Sequence, residues 1–186
     1  MRSAELNEKI SYKKTNVLTQ YISPALSEII RVMNKKSNNL YAEQIFRTIA
    51  KETSGEGSWK AGEIAVKNFL TSLGVSANDF SLRDGSGLSR MDLVTPEGML
   101  AVLKAMYHDA KLWEPFRQSL PIMGKDGTLA TRLSGTTAEG NIFAKTGFIT
   151  GIRSLCGYLT TKDNEMLAFT IFTNNFTASV KDINEL

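Results

Sequence analysis

The 186-residue chain has one cysteine, Cys156, and one histidine, His108. A single thiol closes no internal disulfide, and one Cys with one His builds no zinc cluster or multi-His metal site. No stretch reaches the ~18 apolar residues that a membrane-crossing helix needs. The opening MRSAELNEKI lacks the apolar centre of an export signal. Charge of one sign is also scarce: 22 Lys and Arg stand against 19 Asp and Glu, a formal +3. The signs are mixed along the chain, so there is no basic stripe for nucleic acid. Lys13-Lys14 and Lys35-Lys36 read as solvated faces. Repeats and low-complexity tracts are absent, and no motif calls for a cofactor.

What is present is enough for a core. The sequence is 42% hydrophobic with aromatics spread throughout, and a chain of this size hides roughly 70% of its unfolded surface. Residues 1–22 are polar and then weakly strand-like at Val17, Leu18, Tyr21 and Ile22; they read as a leader to a unit spanning 23–186. Ser23-Pro24 is a helix-start signal. Apolar spacing predicts helices over about 24–35 (Leu26, Ile29, Ile30, Met33), 39–51 (Ile45, Phe46, Ile49) and 59–73, the last stopped by Gly74. A Gly- and Ser-rich stretch, 79–90, breaks the pattern. Thr95-Pro96 then opens an amphipathic helix with Met99, Leu100, Leu103 and Met106 on one face. A shorter helical piece carries Leu112, Trp113 and Phe116, and 120–140 is mostly loop.

The last third reads as three consecutive strands, 141–149, 151–161 and 165–174, with Lys162-Asp163-Asn164 turning the second hairpin. MLAFTIF is almost continuously apolar, which predicts a strand covered on both faces. The expected fold is α+β, with helices packed on an antiparallel sheet.

Chemistry-bearing residues gather in Ser37-Asn38-Asn39 (S-x-N), Asp84-Gly85-Ser86-Gly87-Leu88-Ser89-Arg90, and Lys145-Thr146-Gly147. A plain helix connector does not require both Ser37 and Asn39. Lys145 offers a cation and Thr146 a hydroxyl, a pair suited to a carboxylate. Gly147 lets another backbone approach, so an extended peptide could join the strand edge and present its C-terminal carboxylate. The bland alternative is a lysine at a strand end.

In order and context, these motifs resemble the serine penicillin-recognising enzymes, marked by S-x-x-K, S-x-N and K-T-G. The nearer resemblance is to the class C D-alanyl-D-alanine carboxypeptidases of the penicillin-binding protein 4 type. It rests on SPALSEIIRVMNKKSNNLYAEQ, DGSGLSR followed by LVTP, GKDGTLATR, and AKTG followed by a strand hairpin, from about Tyr21 to Asn174. The resemblance implies part of a β-lactamase/transpeptidase-like fold. It also implies a periplasmic or exported hydrolase that acts on D-Ala-D-Ala stem peptides of peptidoglycan through an acyl-enzyme and reacts with β-lactams.

Carried over by position, Ser37 would relay protons and Asn39 would hold the substrate amide or the catalytic lysine. Lys145, also a catalytic candidate, and Thr146 would bind the terminal carboxylate. Gly147 would leave room for substrate, and Arg90 would add a second positive charge. The family nucleophile is the serine of S-x-x-K. Only Ser11-Tyr12-Lys13-Lys14 has those letters, in polar surroundings ahead of a strand-like rather than an apolar helical segment. The chain is therefore expected to be the C-terminal part of such an enzyme, without its nucleophile and inactive alone; a catalytically dead relative is the competing explanation. A non-catalytic peptide-binding module and a β-lactamase relative are the alternatives. An uncovered sheet edge is expected to favour self-association.

The remaining candidates read as structural. His108 sits at a helix end, Cys156 is packed mid-strand, Asp126-Gly127 makes a turn, and Asp84 anchors its loop. Glu43 and Glu63 are helix-face carboxylates with no obvious acid–base partner, and Trp59 and Trp113 read as core or helix-docking residues.

Overall fold

The computed structural model describes residues 19–185. Ser11, Val17 and Leu18 lie outside them. Residues 19–25 are irregular, and Tyr21 and Ile22 are largely exposed, so the strand expected there does not form at these positions. Nor does Ser23 cap the first helix. Pro24 biases Ser23 toward extended geometry, and helix α1 (Leu26–Lys36) starts later, behind Ala25, whose side chain can accept nothing.

Helix α1 ends where Ser37 enters the left-handed region (φ 52°, ψ 52°) and Asn38 N–H closes the turn onto the Met33 carbonyl at 2.9 Å. Asn38 then caps α2 (Asn39–Ser54) by accepting from Tyr41 N–H at 3.1 Å. Helix α3 (Trp59–Ser72) is capped in the same way by Ser58. It packs closely on α2, because a side chain at Gly62 would strike the Phe46 ring. Two-residue strands β1 (Phe80–Ser81) and β2 (Leu93–Val94) pair antiparallel and bracket the Gly-Ser loop, a ribbon too short to leave an alternating pattern. Thr95 caps α4 (Pro96–His108), with Pro96 at its first turn, and α5 (Trp113–Ser119) follows. A 3-10 turn at Gly127–Leu129 punctuates the loop that leads to β3 (Ile142–Ile149), β4 (Ile152–Thr160) and β5 (Met166–Asn174). These form an antiparallel sheet in the order β3-β4-β5, and α6 (Val180–Glu185) closes the described chain. The α+β expectation holds.

The register puts Lys145, Cys156 and Thr170 side by side on one sheet face, and Thr146, Leu155 and Ile171 on the other. The first face carries the larger core: Leu103, Leu120, Cys156 and Tyr158 pack with Met99, Trp113, Phe116 and Phe172. Tyr158 buries its ring there and donates its hydroxyl to the Leu103 carbonyl at 2.7 Å; burial raises its pKa. On the second face, Met123, Leu129 and Ala144 pack with Leu155 and Phe169. Cover on this face is incomplete: Leu167 is 47% and Ile171 50% exposed. The expectation that β5 is covered on both faces is therefore corrected. Among the described residues β5 is an edge strand, and the loop that covers the second face reaches only its middle.

Candidate active site

The turn between α1 and α2 delivers Ser37 to the middle of β3. Lys145 Nζ donates to Ser37 Oγ at 2.8 Å and to the Thr146 carbonyl at 2.7 Å. S-x-N and K-T-G, 108 positions apart, thus meet in one hydrogen bond. Because the ammonium is the donor, the Ser37 hydroxyl keeps its own proton for a further acceptor. Ser37 reaches Lys145 from left-handed backbone, a conformation that disfavours any residue with a Cβ. Among the described residues, the partners of Lys145 are a hydroxyl and a carbonyl, not a carboxylate. Burial accordingly lowers its pKa below the ordinary lysine value. A half-buried cation with no counter-charge attracts an anion.

Asn39 is exposed in the first turn of α2, and the bonds of Lys145 do not include it. The Thr146 hydroxyl lies 2.8 Å from that of Thr128. At Gly147 a side chain would collide with Ser154 Oγ at 2.2 Å, so the glycine makes room for its neighbour on β4. Arg90 donates to the Thr150 carbonyl, just past the end of β3, at 3.2 Å. Among the described residues no hydrogen bond joins Arg90 to Lys145 or Thr146.

The backbone edge of β3 adds to the site. Met123 N–H bonds the Ile142 carbonyl and Ala144 N–H bonds the Pro121 carbonyl, each at 2.9 Å. That edge is therefore occupied at Ile142 and Ala144. In an antiparallel strand the outward-facing groups recur every second residue. The next outward N–H groups are those of Thr146 and Phe148, and no backbone partner takes them among the described residues.

Several contributors were not foreseen. Lys35 is not a solvated residue: its side chain is 14% exposed, and Nζ reaches Asp126 Oδ1 at 2.9 Å, Oδ2 at 2.7 Å and the Leu120 carbonyl at 2.6 Å. Asp126 also accepts from Ile122 N–H at 2.8 Å, so it does more than make a turn. Glu43 has partners too, accepting from Gly85 N–H at 3.0 Å, Ser86 N–H at 3.2 Å and Trp59 Nε1 at 3.1 Å. Glu63 pairs with Lys60 and Arg83. Asp84 anchors its loop, as expected, through Ser86 Oγ and Ser89 N–H. The sequence signal for Asp126 and Thr128 was the GKDGTLATR string, to which no role had been attached. Cys156 is buried, which raises its thiol pKa to about 11 and leaves it unreactive.

Residues 3–185 match the family described as the D-Ala-D-Ala carboxypeptidase 3 (S13) family. The D-alanyl-D-alanine carboxypeptidase of Actinomadura sp. (strain R39) is 40% identical over 168 residues, which cover 88% of this chain and 31% of that protein. The crystal structure of penicillin binding protein 4 (dacB) from Haemophilus influenzae superposes with a TM-score of 0.76 at 34% identity, covering 82% of this chain and 34% of the other. The same protein complexed with a novel β-lactam gives 0.75. The TLA-3 extended-spectrum β-lactamase shares the fold, with a TM-score of 0.65 at 21% identity over 88% of this chain and 60% of that one. The chain spans about a third of the length of the curated relatives it matches.

Proposed function

The chain belongs to the D-Ala-D-Ala carboxypeptidase 3 (S13) family, and from that premise we propose that it forms the substrate-gripping wall of a serine-type D-Ala-D-Ala carboxypeptidase or endopeptidase. The observation that carries this reading is the 2.8 Å bond between Lys145 Nζ and Ser37 Oγ. It joins both motifs around a cation that lacks a carboxylate. A stem peptide ending in D-Ala-D-Ala would lie antiparallel to β3 and bond to the free N–H groups of Thr146 and Phe148. Its terminal carboxylate would meet Lys145 and Thr146. In the acyl-transfer step, Phe148 N–H would be one donor to the oxyanion, and Ser37 would pass its proton toward the leaving amine. Asn39 would hold the peptide amide from the opposite wall. Peptidoglycan lies outside the cytoplasmic membrane, and we assign the protein to that compartment.

Acylation needs a serine with a lysine one helical turn later. Among the described residues none has that spacing, so the chain by itself should bind without turning over. Incubation with a fluorescent penicillin should leave it unlabelled; a stable covalent label mapped to Ser11 would overturn this part. Saturable binding of an acetylated L-Lys-D-Ala-D-Ala peptide, lost in Lys145→Met, supports the grip, and unmoved amide resonances throughout a titration would rule it out. The second reading, a peptide-binding module that never acylates, is favoured by the same uncompensated cation. It predicts no β-lactam reaction even when missing family segments are supplied in trans. Self-association through the free β5 edge belongs to the proposal as well. A monomer at every concentration in sedimentation would remove it.

A further inference from the structure

The hydroxyls of Thr128 and Thr146 lie 2.8 Å apart, and either could donate to the other. Each has one proton to give. If Thr146 donates to Thr128, it has none left for a carboxylate. If Thr128 donates, the Thr146 proton points outward, and the chain of hydroxyls polarises it. The direction of this single bond therefore decides whether the site offers a donor or an acceptor to the end of a peptide.

Thr128 is held firmly enough to set that direction. It is exposed, but its neighbours are anchored on both sides. Leu129 is fully buried, and Gly124 N–H bonds the Leu129 carbonyl at 3.0 Å. Gly127 has φ +61°, and a Cβ there would stand 2.9 Å from the Lys35 carbonyl. Asp126 is gripped by Lys35, two residues before Ser37. The clamp that places Ser37 thus also places Thr128.

We propose that Thr128 is a positioning residue that donates to Thr146 and thereby makes the site selective for peptides ending in a free carboxylate over those ending in a carboxamide. This deepens, and rests on, the proposed Lys145–Thr146 grip. Thr128 itself touches the substrate only through Thr146.

The test uses the full chain and two probes, acetylated L-Lys-D-Ala-D-Ala as the free acid and as its C-terminal amide. Thr128→Val is nearly isosteric at an exposed site, and Thr128→Ser restores the hydroxyl. The valine variant should bind the acid about tenfold more weakly, the effect of losing one hydrogen bond in a charge-assisted set. The serine variant should stay within about twofold of wild type, and amide binding should be alike in all three. Equal acid affinity in the valine variant, or an equal loss in the serine variant, overturns the inference. A ligand-free readout separates it from the underlying reading. The Thr146 Cβ and methyl resonances should shift in Thr128→Val and be restored in Thr128→Ser, whether or not peptide binds. If the wild type binds neither probe, the grip is wrong; if the Thr146 resonances do not distinguish valine from serine, the role of Thr128 is wrong.

Discussion

Consider Lys145→Met, which keeps most of the aliphatic stem and deletes the ammonium. Two hydrogen bonds disappear, to Ser37 Oγ and the Thr146 carbonyl, a loss of about 1 kcal/mol each. Against this, burial already disfavours the charged lysine in the folded state, and removing the charge lifts that penalty. The opposed terms should leave stability within about 1 kcal/mol of wild type, a melting shift of no more than ~4 °C for a domain of this size. Binding has no such compensation. One charge-assisted contact to a carboxylate contributes about 1.5–3 kcal/mol, so affinity for the acetylated D-Ala-D-Ala peptide should fall roughly 10- to 150-fold. Calorimetric titration beside thermal unfolding measures both quantities. A loss of affinity under threefold refutes the carboxylate grip. A fall in melting temperature beyond ~10 °C shows that Lys145 holds the fold rather than the ligand. The pH dependence gives a second check. Where the folded pKa lies below the unfolded one, the unfolded chain binds more protons, so wild-type stability rises with pH through that interval. Relative to Lys145→Met, the wild type should gain stability toward alkaline pH while its peptide affinity declines. A difference flat in pH would sink the argument.

Other substitutions probe the surroundings of the site. Ser37→Gly relieves the left-handed backbone at φ 52°, a strain of about 1–2 kcal/mol partly offset by a more flexible unfolded chain. It should not destabilise in a urea titration, and a loss above ~2 kcal/mol would mean that the bond to Lys145 holds the turn. Gly147→Ala puts a Cβ 2.2 Å from Ser154 Oγ but 3.6 Å from Ser154 Cβ, so rotation of the serine hydroxyl should hold the cost to about 0.5–1.5 kcal/mol. Adding Ser154→Ala should restore most of it, whereas additive losses in the double-mutant cycle would deny the contact. Asp92 is held up at about pKa 6 by burial and by the neighbouring Asp84 carboxylate. Between pH 4 and 6 the folded state then binds the extra proton, so stability falls as pH rises across that window. Asp92→Asn should flatten the fall, which urea midpoints at pH 4.5 and 7 would show.

S-x-N and K-T-G were legible because they are short motifs of particular residue types, and some helix ends were legible from caps and stops: Thr95-Pro96 before α4 and Gly74 after α3. Pairings across long separations were not. Lys35 on the last turn of a helix looks the same whether it faces water or Asp126, 91 residues away. Glu43 likewise carries no sign of the Gly85 and Ser86 amides it will hold. The β1–β2 ribbon is too short for periodicity. The apolar run in β5 predicted two covered faces, but a run of side chains does not reveal how far a neighbouring loop extends. Nor does the sequence show that a Cβ at Gly147 would meet Ser154 Oγ on the adjacent strand.

Three features that work against stability meet at this site. Ser37 adopts a backbone region that glycine would occupy with less strain. Lys145 keeps a half-buried charge without a carboxylate. Among the described residues the β3 edge leaves the N–H groups of Thr146 and Phe148 unpaired, beside the Ile142 carbonyl and Ala144 N–H that the same edge uses. The helix starts follow local rules, with Asn38, Ser58 and Thr95 capping their helices, while the Gly-Ser loop leaves Asp92 Oδ2 buried without a partner among the described residues. Local violations persist where the surrounding structure holds them for another purpose. On the proposed function an extended peptide would answer two of them, its backbone filling the edge and its carboxylate meeting the lysine. Fold stability alone would favour glycine at 37 and an uncharged side chain at 145; the proposed binding role would favour the serine and lysine that are there.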